Sequence, residues 1–554
     1  MTMICVPLMV EDHAEAIRDA TLAAEHGADM VEFRVDVYFE DQVDSTDLLQ
    51  DRIDRVLELV KASPLPCIVT CRPHWEGGEY HGDDDERVAL YEALGTSDHP
   101  PAYIDVELAT YTRSKNIRQK VNLAVDHPKQ ERSVSTRLIL SSHDFSGRPA
   151  DLTRKVLEMQ SEPACAVVKI AYRARSIRDN LELFDLLSES PKPMIALCMG
   201  EFGLMSRVLA PKFGGLLTFA TLRDESSTAP GQPTIEELLD LYRFRKINRS
   251  TKVYGIIGWP VTQSMSPLVH NAGFEAIGWD GVYVPMPVEG SFESFKATVT
   301  SLVDHEGLTF AGASVTIPHK THLTHLATER GFGALWVIDS DAEACGAGNT
   351  LIVSPLFDEE DIDEYGVYNT DHRAIWSLFD YLDEWAGRPV AIMGSGGVSR
   401  AAAAPFVARG ATVSLFARNA SAVDSLADQL NTLTKNGADG PGTVTAHPLD
   451  DLQSARADVY INCTPVGMTG GPDPDGLSIP IPEMDNLSPD TVFFDTVYNP
   501  IETPMLKAAR ERGYRTIDGV QMFVKQAEAQ FAIWTGEESP ADLFDRLVRE
   551  KLGS

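Results

Sequence analysis

Lys169 sits in the apolar run Val167-Val168-Lys169-Ile170-Ala171, a costly setting for an ammonium group. Desolvation among aliphatic side chains favours the free amine, and a free amine attacks a ketone to give a Schiff base. His143 closes another short apolar run, in SSHDF, and an imidazole titrates close enough to neutral pH to move protons. Elimination next to an imine needs both groups. Further run ends carry Glu32 and Arg34, Arg72, Asp105 and Glu107, with Arg207 in the loop MSRV. A lone lysine in such a run more often snorkels or forms an ion pair, and a lone histidine more often hydrogen-bonds within a core. Their joint placement favours chemistry, because that much charge is costly to bury elsewhere. The arginines offer two-pronged grips for a carboxylate.

A second set lies farther along. ASVTIPHK places Thr316 and Lys320 around a strand end, GAGNTL places Asn349 and Thr350, and VYNTDHRA places Asn369 and Asp371. Lysine and aspartate make a workable proton-transfer pair for reducing a ketone, with Lys320 near the developing alkoxide. A structural salt bridge is the competing reading. Ser264 and Ser266 precede a helix beginning near Pro267, where hydroxyls either cap the helix or hold a carboxylate. In PVAIMGSGGVSRAAAAPFVARGATVSLFARN, Gly394, Gly396 and Gly397 fall at a strand-to-helix turn that lets backbone approach a pyrophosphate. Such a turn alone also fits flavin, methyl-donor and purely structural uses. The next strand ends in Ala417-Arg418-Asn419, without the acid that binds an NAD ribose. Arg418 is then placed for a 2′-phosphate, favouring NADP over a plain surface arginine.

The elements that must position these groups can be counted. Apolar runs at Ile4–Met9, Met30–Val35, Cys67–Cys71, Tyr103–Leu108, Leu138–Ser142, Val167–Ala171, Met194–Cys198 and Leu216–Phe219 alternate with amphipathic segments, and a final helix is expected from Thr234 to about Ile247. Eight strands in this length fit a (β/α)8 barrel with its chemistry at the C-terminal strand ends. A polar joint at Asn248–Lys252 then separates two kinds of α/β unit.

With 554 residues the chain suggests about two to four domains. Its 82 acidic against 48 basic residues give a formal charge of −34, which argues against nucleic acid and anionic membrane as partners. No apolar run is long enough to span a bilayer. Seven scattered cysteines read as reduced core thiols, and MTMICVPLMV lacks the features of a secretion signal, so a cytoplasmic protein is expected. DEEDIDE, residues 358 to 364, reads as a solvated hairpin or insertion, and Asn431–Gly442 as a surface loop.

VEFRVD, TCRP followed by Glu76-Gly77-Gly78, SSHDF, VVKIA, FGLMSRV and TAPGQ together resemble type I 3-dehydroquinate dehydratase over residues 1–248. The resemblance implies Lys169 as the imine-forming nucleophile, His143 as the base with Glu76 beside it, and Glu32, Arg34, Arg72, Arg207, Thr228 and Gln232 around substrate. Thr228 stands where that family usually has Ser. GWPVTQSMSPLVHN, SVTIPHK, GAGNTL, NTD, GSGGVSRAA, INCTPVGM, DTVYNPIETPML and DGVQMFVKQAEAQF resemble shikimate dehydrogenase. That resemblance implies a two-lobed α/β dehydrogenase: a substrate-binding lobe at 252–384 completed by 516–554, and a Rossmann-like NADP lobe at 385–515. It also implies Lys320 and Asp371 as the catalytic pair, with Ser264, Ser266, Thr316, Asn349, Tyr498 and Gln526 on substrate. Gly394, Ser395, Gly396, Gly397, Arg418, Asn419, Thr464 and Met468 would lie along the cofactor. Ser314 stands where many members have Asn, Ser395 where they have Ala, and NTDHRA replaces NTDGxG. The expected ligands are 3-dehydroquinate, 3-dehydroshikimate, shikimate and NADP, with no metal. The rivals are a quinate/shikimate dehydrogenase using NAD and a metabolite-sensing regulator without turnover.

Overall fold

Strand alternation organises the first unit of the computed structural model, which describes residues 1–39, 46–126, 134–223, 231–329, 335–355, 363–382, 384–433, 442–481 and 487–553. Strands β1 (Met3–Met9), β2 (Met30–Arg34), β3 (Cys67–Thr70), β4 (Tyr103–Glu107), β5 (Arg137–Asp144), β6 (Cys165–Arg173), β7 (Met194–Met199) and β8 (Leu217–Phe219) are parallel in the order β7-β6-β5-β4-β3-β2-β1-β8. Leu216 N donates to Met194 O at 2.9 Å and closes the ring between β8 and β7. This is the (β/α)8 barrel, and each of the eight apolar runs falls on one of its strands.

Residues two apart on a strand share a face. Cys5, Met30, Ile68, Tyr103, Ile139, Val167, Ile195 and Leu217 pack into one buried apolar layer. Two residues farther along, the same face turns inward Pro7, Glu32, Thr70, Asp105, Ser141, Lys169, Leu197 and Phe219. The sequence thereby stacks a largely polar layer on an apolar floor, at the C-terminal mouth where barrel chemistry is done.

The helix expected from Thr234 to about Ile247 is not one element. It widens to a π-helix at Glu237–Leu241, breaks at Arg243 with φ 51°, and ends in a 3-10 turn at Phe244–Lys246. Tertiary anchoring competes with helical regularity: Arg245 reaches back to Asp29 Oδ2 at 2.7 Å and Gly27 O at 2.8 Å.

The chain divides into two units, Met1–Thr251 with Asp304–Thr309, and Lys252–Val303 with Phe310–Ser554. The second unit holds two sheets. Strands β9 (Lys252–Gly258), β10 (Gly281–Pro287), β11 (Phe310–Val315), β12 (Leu335–Ile338), β13 (Thr350–Pro355) and β14 (Asp363–Tyr368) run in the order β10-β9-β11-β13-β14-β12. Of these, β13 is antiparallel to both its neighbours. Helices Ser266–Ile277 and Gly519–Thr535 share an apolar core with this sheet through Val269, Phe274, Ala527 and Phe531. The acidic segment overlaps β14 at Asp363 and Glu364, while its residues 358–362 lie outside the described residues, as do 434–441 of the expected surface loop. Helix Ala420–Leu433 extends into the start of that loop.

The other sheet comprises β15 (Pro389–Met393), β16 (Thr412–Ala417), β17 (Thr443–Pro448), β18 (Val459–Asn462), β19 (Val492–Asp495) and β20 (Arg515–Ile517), parallel in the order β17-β16-β15-β18-β19-β20. That order is the doubly wound one of dinucleotide-binding sheets, with its switch point between β15 and β18. Ala401 to Ala404 are fully buried, which lets helix Gly397–Ala408 lie close on the sheet. Among the described residues no helix is long and apolar enough to cross a membrane.

Candidate active sites

A cavity at the barrel mouth is lined by Glu32, Arg34, Arg72, Glu76, His143, Lys169, Arg207 and Gln232, with Phe145 and Phe219. Thr228 lies outside the described residues. The apolar setting expected for Lys169 is only half of its environment. Its Nζ donates to Asp105 Oδ2 at 2.8 Å and Glu32 Oε1 at 3.2 Å, and lies 4.7 Å from the centre of the Phe219 ring. Asp105 is shared, since Arg72 Nη2 stands 3.0 Å from the same oxygen. Burial alone would raise the Asp105 pKa, but Arg72 and Lys169 outweigh it and hold the carboxyl well below its ordinary range. Arg72 Nη1 also donates to Glu107 Oε1 at 2.7 Å and Ser141 Oγ at 2.9 Å, and the other Glu107 oxygen takes Arg87.

His143 turns Nδ1 to Glu76 Oε2 at 2.9 Å, and its backbone N–H donates to the same oxygen at 3.1 Å. Burial first, then the cations Arg72 and Lys169, push the imidazole well below its usual pKa and keep it neutral. Burial lifts Glu76 to about 8 against the opposing pull of Arg72. With His143 as the base, this pair is expected to work as a tautomer switch. Protonated Glu76 donates to Nδ1, leaving the proton on Nε2 and the ring unable to act as a base there. Ionised Glu76 accepts from Nδ1–H and frees the Nε2 lone pair. Dehydratase kcat/KM is expected to climb with pH through about 8. Glu76→Gln, which has no proton to lose, should flatten that limb in a pH–rate profile; a limb unchanged in the variant would refute the switch.

Arg207 completes the cavity. It is 2% exposed, burial pulls its pKa down to about 10, and its Nε has no hydrogen-bond partner. Among the described residues no carboxylate pairs with it. An uncompensated buried guanidinium is a built site for an anion. Arg34 is already held by Asp36, through Nε and Nη2 at 2.9 Å each.

In the second unit a cleft of about 1320 Å³ is lined by Thr316, Lys320, Gly396, Gly397, Thr464, Met468 and Tyr498, and also by Gln263, Ile317, Val398 and Cys463, which sequence reasoning did not single out. Lys320 opens the helix Lys320–Thr328 and hydrogen-bonds Asp371 Oδ2. Asp371 is the second residue of helix Thr370–Ser377, whose cap Asn369 accepts from His372 N at 3.0 Å. A Cβ on Gly397 would come 3.3 Å from Lys320 Cδ, so the glycine turn and the lysine meet. Gly394 has φ 124° and a Cβ there would lie 2.9 Å from Cys463 O, while Gly396 faces open space. This cradle at a helix N-terminus fits a pyrophosphate. Ser395 is half-buried in the turn.

Other candidates are not brought into the cleft lining. Arg418 and Asn419 stand exposed past the end of β16, where Asn419 Oδ1 accepts from Ala422 N at 3.1 Å and Arg418 makes no ion pair among the described residues. Ser264 Oγ accepts from Ser266 N at 3.2 Å, and Ser266 is buried. Asn349 spends its carboxamide inside the fold, accepting from Thr370 N at 2.8 Å and donating to Thr370 Oγ1 at 3.0 Å. Gln526 is buried on helix Gly519–Thr535. The NTDHRA departure has a local role: Arg373 Nε donates to Asp341 at 2.7 Å and His372 Nδ1 lies 3.3 Å from Asp341, tying this helix to Ser340–Cys345.

A lysine-centred barrel joined to a unit with a Lys–Asp pair beside a dinucleotide turn defines a two-site α/β enzyme. Residues 4–249 match the family model of type I 3-dehydroquinase, residues 256–351 that of the shikimate dehydrogenase substrate binding domain, and residues 519–549 that of the shikimate 5′-dehydrogenase C-terminal domain. The chain is 35% identical over 566 residues to the chloroplastic bifunctional 3-dehydroquinate dehydratase/shikimate dehydrogenase of Arabidopsis thaliana, covering 99% of this chain and 84% of that protein. It is 28% identical over 535 residues to the shikimate biosynthesis protein AroDE of Chlamydia pneumoniae, covering 96% and 95%. It is 35% identical over 305 residues to the shikimate dehydrogenase (NADP(+)) of Methanocella arvoryzae, covering 54% of this chain and 99% of that protein. The chain belongs to the bifunctional 3-dehydroquinate dehydratase/shikimate dehydrogenase family. It is a lyase and an oxidoreductase of the shikimate pathway in one polypeptide.

Proposed function

We propose that the barrel, residues 1–248, converts 3-dehydroquinate to 3-dehydroshikimate, and that the second unit reduces 3-dehydroshikimate to shikimate with NADPH. In the barrel, Lys169 Nζ condenses with the substrate ketone and releases water. His143 takes the proton from the adjacent carbon, the neighbouring hydroxyl leaves as water with a proton returned by His143, and hydrolysis of the imine frees the product and the amine. One water is lost overall. Arg207 takes the substrate carboxylate; Glu32, Arg34, Arg72, Gln232 and Thr228 bind around it. The buried guanidinium of Arg207, whose Nε has no hydrogen-bond partner and which pairs with no carboxylate among the described residues, lines the same cavity as Lys169 and carries this reading.

The substrate lobe spans 252–384 and is completed by 516–554; the cofactor lobe spans 385–515. When bound, NADPH supplies hydride, and Lys320, held by Asp371, gives the proton to the developing alkoxide. Thr316 and Tyr498, from the cleft lining, bind the substrate together with Ser264, Ser266, Asn349 and Gln526. Gly394, Ser395, Gly396 and Gly397 receive the pyrophosphate, Arg418 and Asn419 the 2′-phosphate end, and Thr464 and Met468 the length of the cofactor. Seven free thiols fit a reducing compartment, which we take to be the cytoplasm. The acidic chain meets its anionic small-molecule ligands through cations concentrated in the sites.

Steady-state reduction of 3-dehydroshikimate with NADPH and NADH tests the cofactor reading. NADPH should be preferred, and Arg418→Ala should raise KM for NADPH about tenfold, the low end for a lost charge-assisted bond at an exposed site, while leaving NADH unaffected. A wild-type preference for NADH, or for quinate as the substrate oxidised, would overturn it.

A further inference from the structure

Gln530 is 1% exposed and has every arm of its carboxamide engaged. Its Oε1 accepts from Ser314 Oγ at 2.8 Å, and its Nε2 donates to Thr350 Oγ1 at 3.0 Å and to Asn349 O at 3.2 Å. It sits one helical turn past Gln526 on Gly519–Thr535. Two routes lead from it toward the Lys320–Asp371 pair. Along the first, Thr350 Oγ1 donates to Asn349 Oδ1 at 2.8 Å, and that oxygen receives the backbone N–H of Thr370, the residue before Asp371, also at 2.8 Å. Along the second, Ser314 lies on β11, the strand that runs out through Thr316 to the helix opened by Lys320. One buried amide thus braces both segments that present the pair.

Ser314 also departs from the asparagine that the sequence resemblance expects on β11. A serine hydroxyl is short and carries one proton; it cannot bridge to β13 as a carboxamide can. We propose that Gln530 is a positioning residue for Lys320 and Asp371, supplying from the C-terminal helix the carboxamide that Ser314 does not provide. The inference rests on the reading of Lys320 and Asp371 as the reductase pair. Ser314 is 6% exposed, and its Oγ already takes the Tyr283 hydroxyl at 2.7 Å and donates to Gln530 Oε1 at 2.8 Å, so a longer side chain at 314 would crowd Gln530.

The test uses the full-length chain, with 3-dehydroquinate dehydration as an internal control, and three forms: Gln530→Ala, Ser314→Asn, and both together. Gln530→Ala should lower reductase kcat about tenfold, with a smaller rise in KM for 3-dehydroshikimate transmitted through Asn349, because the main disturbance falls on the proton pair. Ser314→Asn alone should also lower kcat, through overpacking against Gln530. The double variant should return to within about threefold of wild type, the non-additivity expected of residues in contact. Dehydration should not change in any of them. Reductase kcat within about twofold of wild type in Gln530→Ala, a double variant no better than the worse single one, or a parallel loss of both activities would each overturn the proposal. A wild-type chain that fails to reduce 3-dehydroshikimate would instead remove the reading beneath it, an outcome separable from active wild type with indifferent variants.

Discussion

Replacing Lys169 with alanine is expected to abolish dehydration of 3-dehydroquinate, by roughly 10⁴ to 10⁶ in kcat, while reduction of supplied 3-dehydroshikimate stays within about twofold of wild type. Lys169 is the sole lysine lining the barrel cavity among the described residues, so no second amine stands ready to form the imine. The loss should be chemical rather than structural. With the ammonium gone, Asp105 keeps Arg72 at 3.0 Å and the Ser141 hydroxyl at 2.5 Å, and Glu32 keeps the Thr70 hydroxyl at 2.7 Å, so neither carboxylate is orphaned. Arg207 remains to bind the substrate carboxylate, and KM or substrate Kd should change far less than kcat. Borohydride added to the wild-type chain with 3-dehydroquinate should fix a covalent adduct on the peptide bearing Lys169. An adduct on another lysine, or none, would sink the imine mechanism.

Much of this was legible because a barrel strand repeats every second residue. The parity that buries Met30, Ile68 and Val167 also aims Glu32, Thr70 and Lys169 inward, so counting runs placed Glu32 and Lys169 on the face that lines the cavity. What strand counting could not give is pairing between strands. Asp105 stood out as a run-end acid, yet its sharing between Arg72 and Lys169 depends on contacts across the barrel, and the lowered pKa of His143 follows from burial first and then from cations far away in sequence. The terminal barrel segment carries a regular helical pattern, and nothing local reveals that Arg245 anchors to Gly27 and Asp29. The bonds from Asn349 to Thr370, which fix the segment before Asp371, likewise join positions 21 residues apart and had no local signal. Gln530 had no signal at all: its partner Ser314 is 216 residues away, and a glutamine on an apolar helix face announces no role.

The second large effect is expected at Asp371, where asparagine should lower reductase kcat by about 10² to 10⁴, the range for a lost proton-transfer partner, with dehydration unaffected. Asparagine preserves shape and keeps one oxygen able to accept from Lys320, but it removes the negative charge that holds the ammonium. Lys320 would still line the cleft beside Gly397, and Thr316 and Tyr498 would be untouched, so binding of substrate should persist while proton delivery fails. Asp371 lies in the first turn of Thr370–Ser377, where a carboxylate contributes about 0.3 to 1 kcal/mol through the helix dipole, and it is also the buried partner of Lys320, so Tm should fall as well. A collapse in the kcat of the folded variant, measured below its Tm, is the signature of a catalytic pair, whereas a mere salt bridge would lower Tm and leave kcat near wild type. Retention of more than about a tenth of wild-type kcat would sink the assignment, since general acid–base partners contribute far more than that. The two variants also check one another. Lys169→Ala lacks only the step that Asp371→Asn retains, so an equimolar mixture should carry 3-dehydroquinate through to shikimate when neither protein alone can.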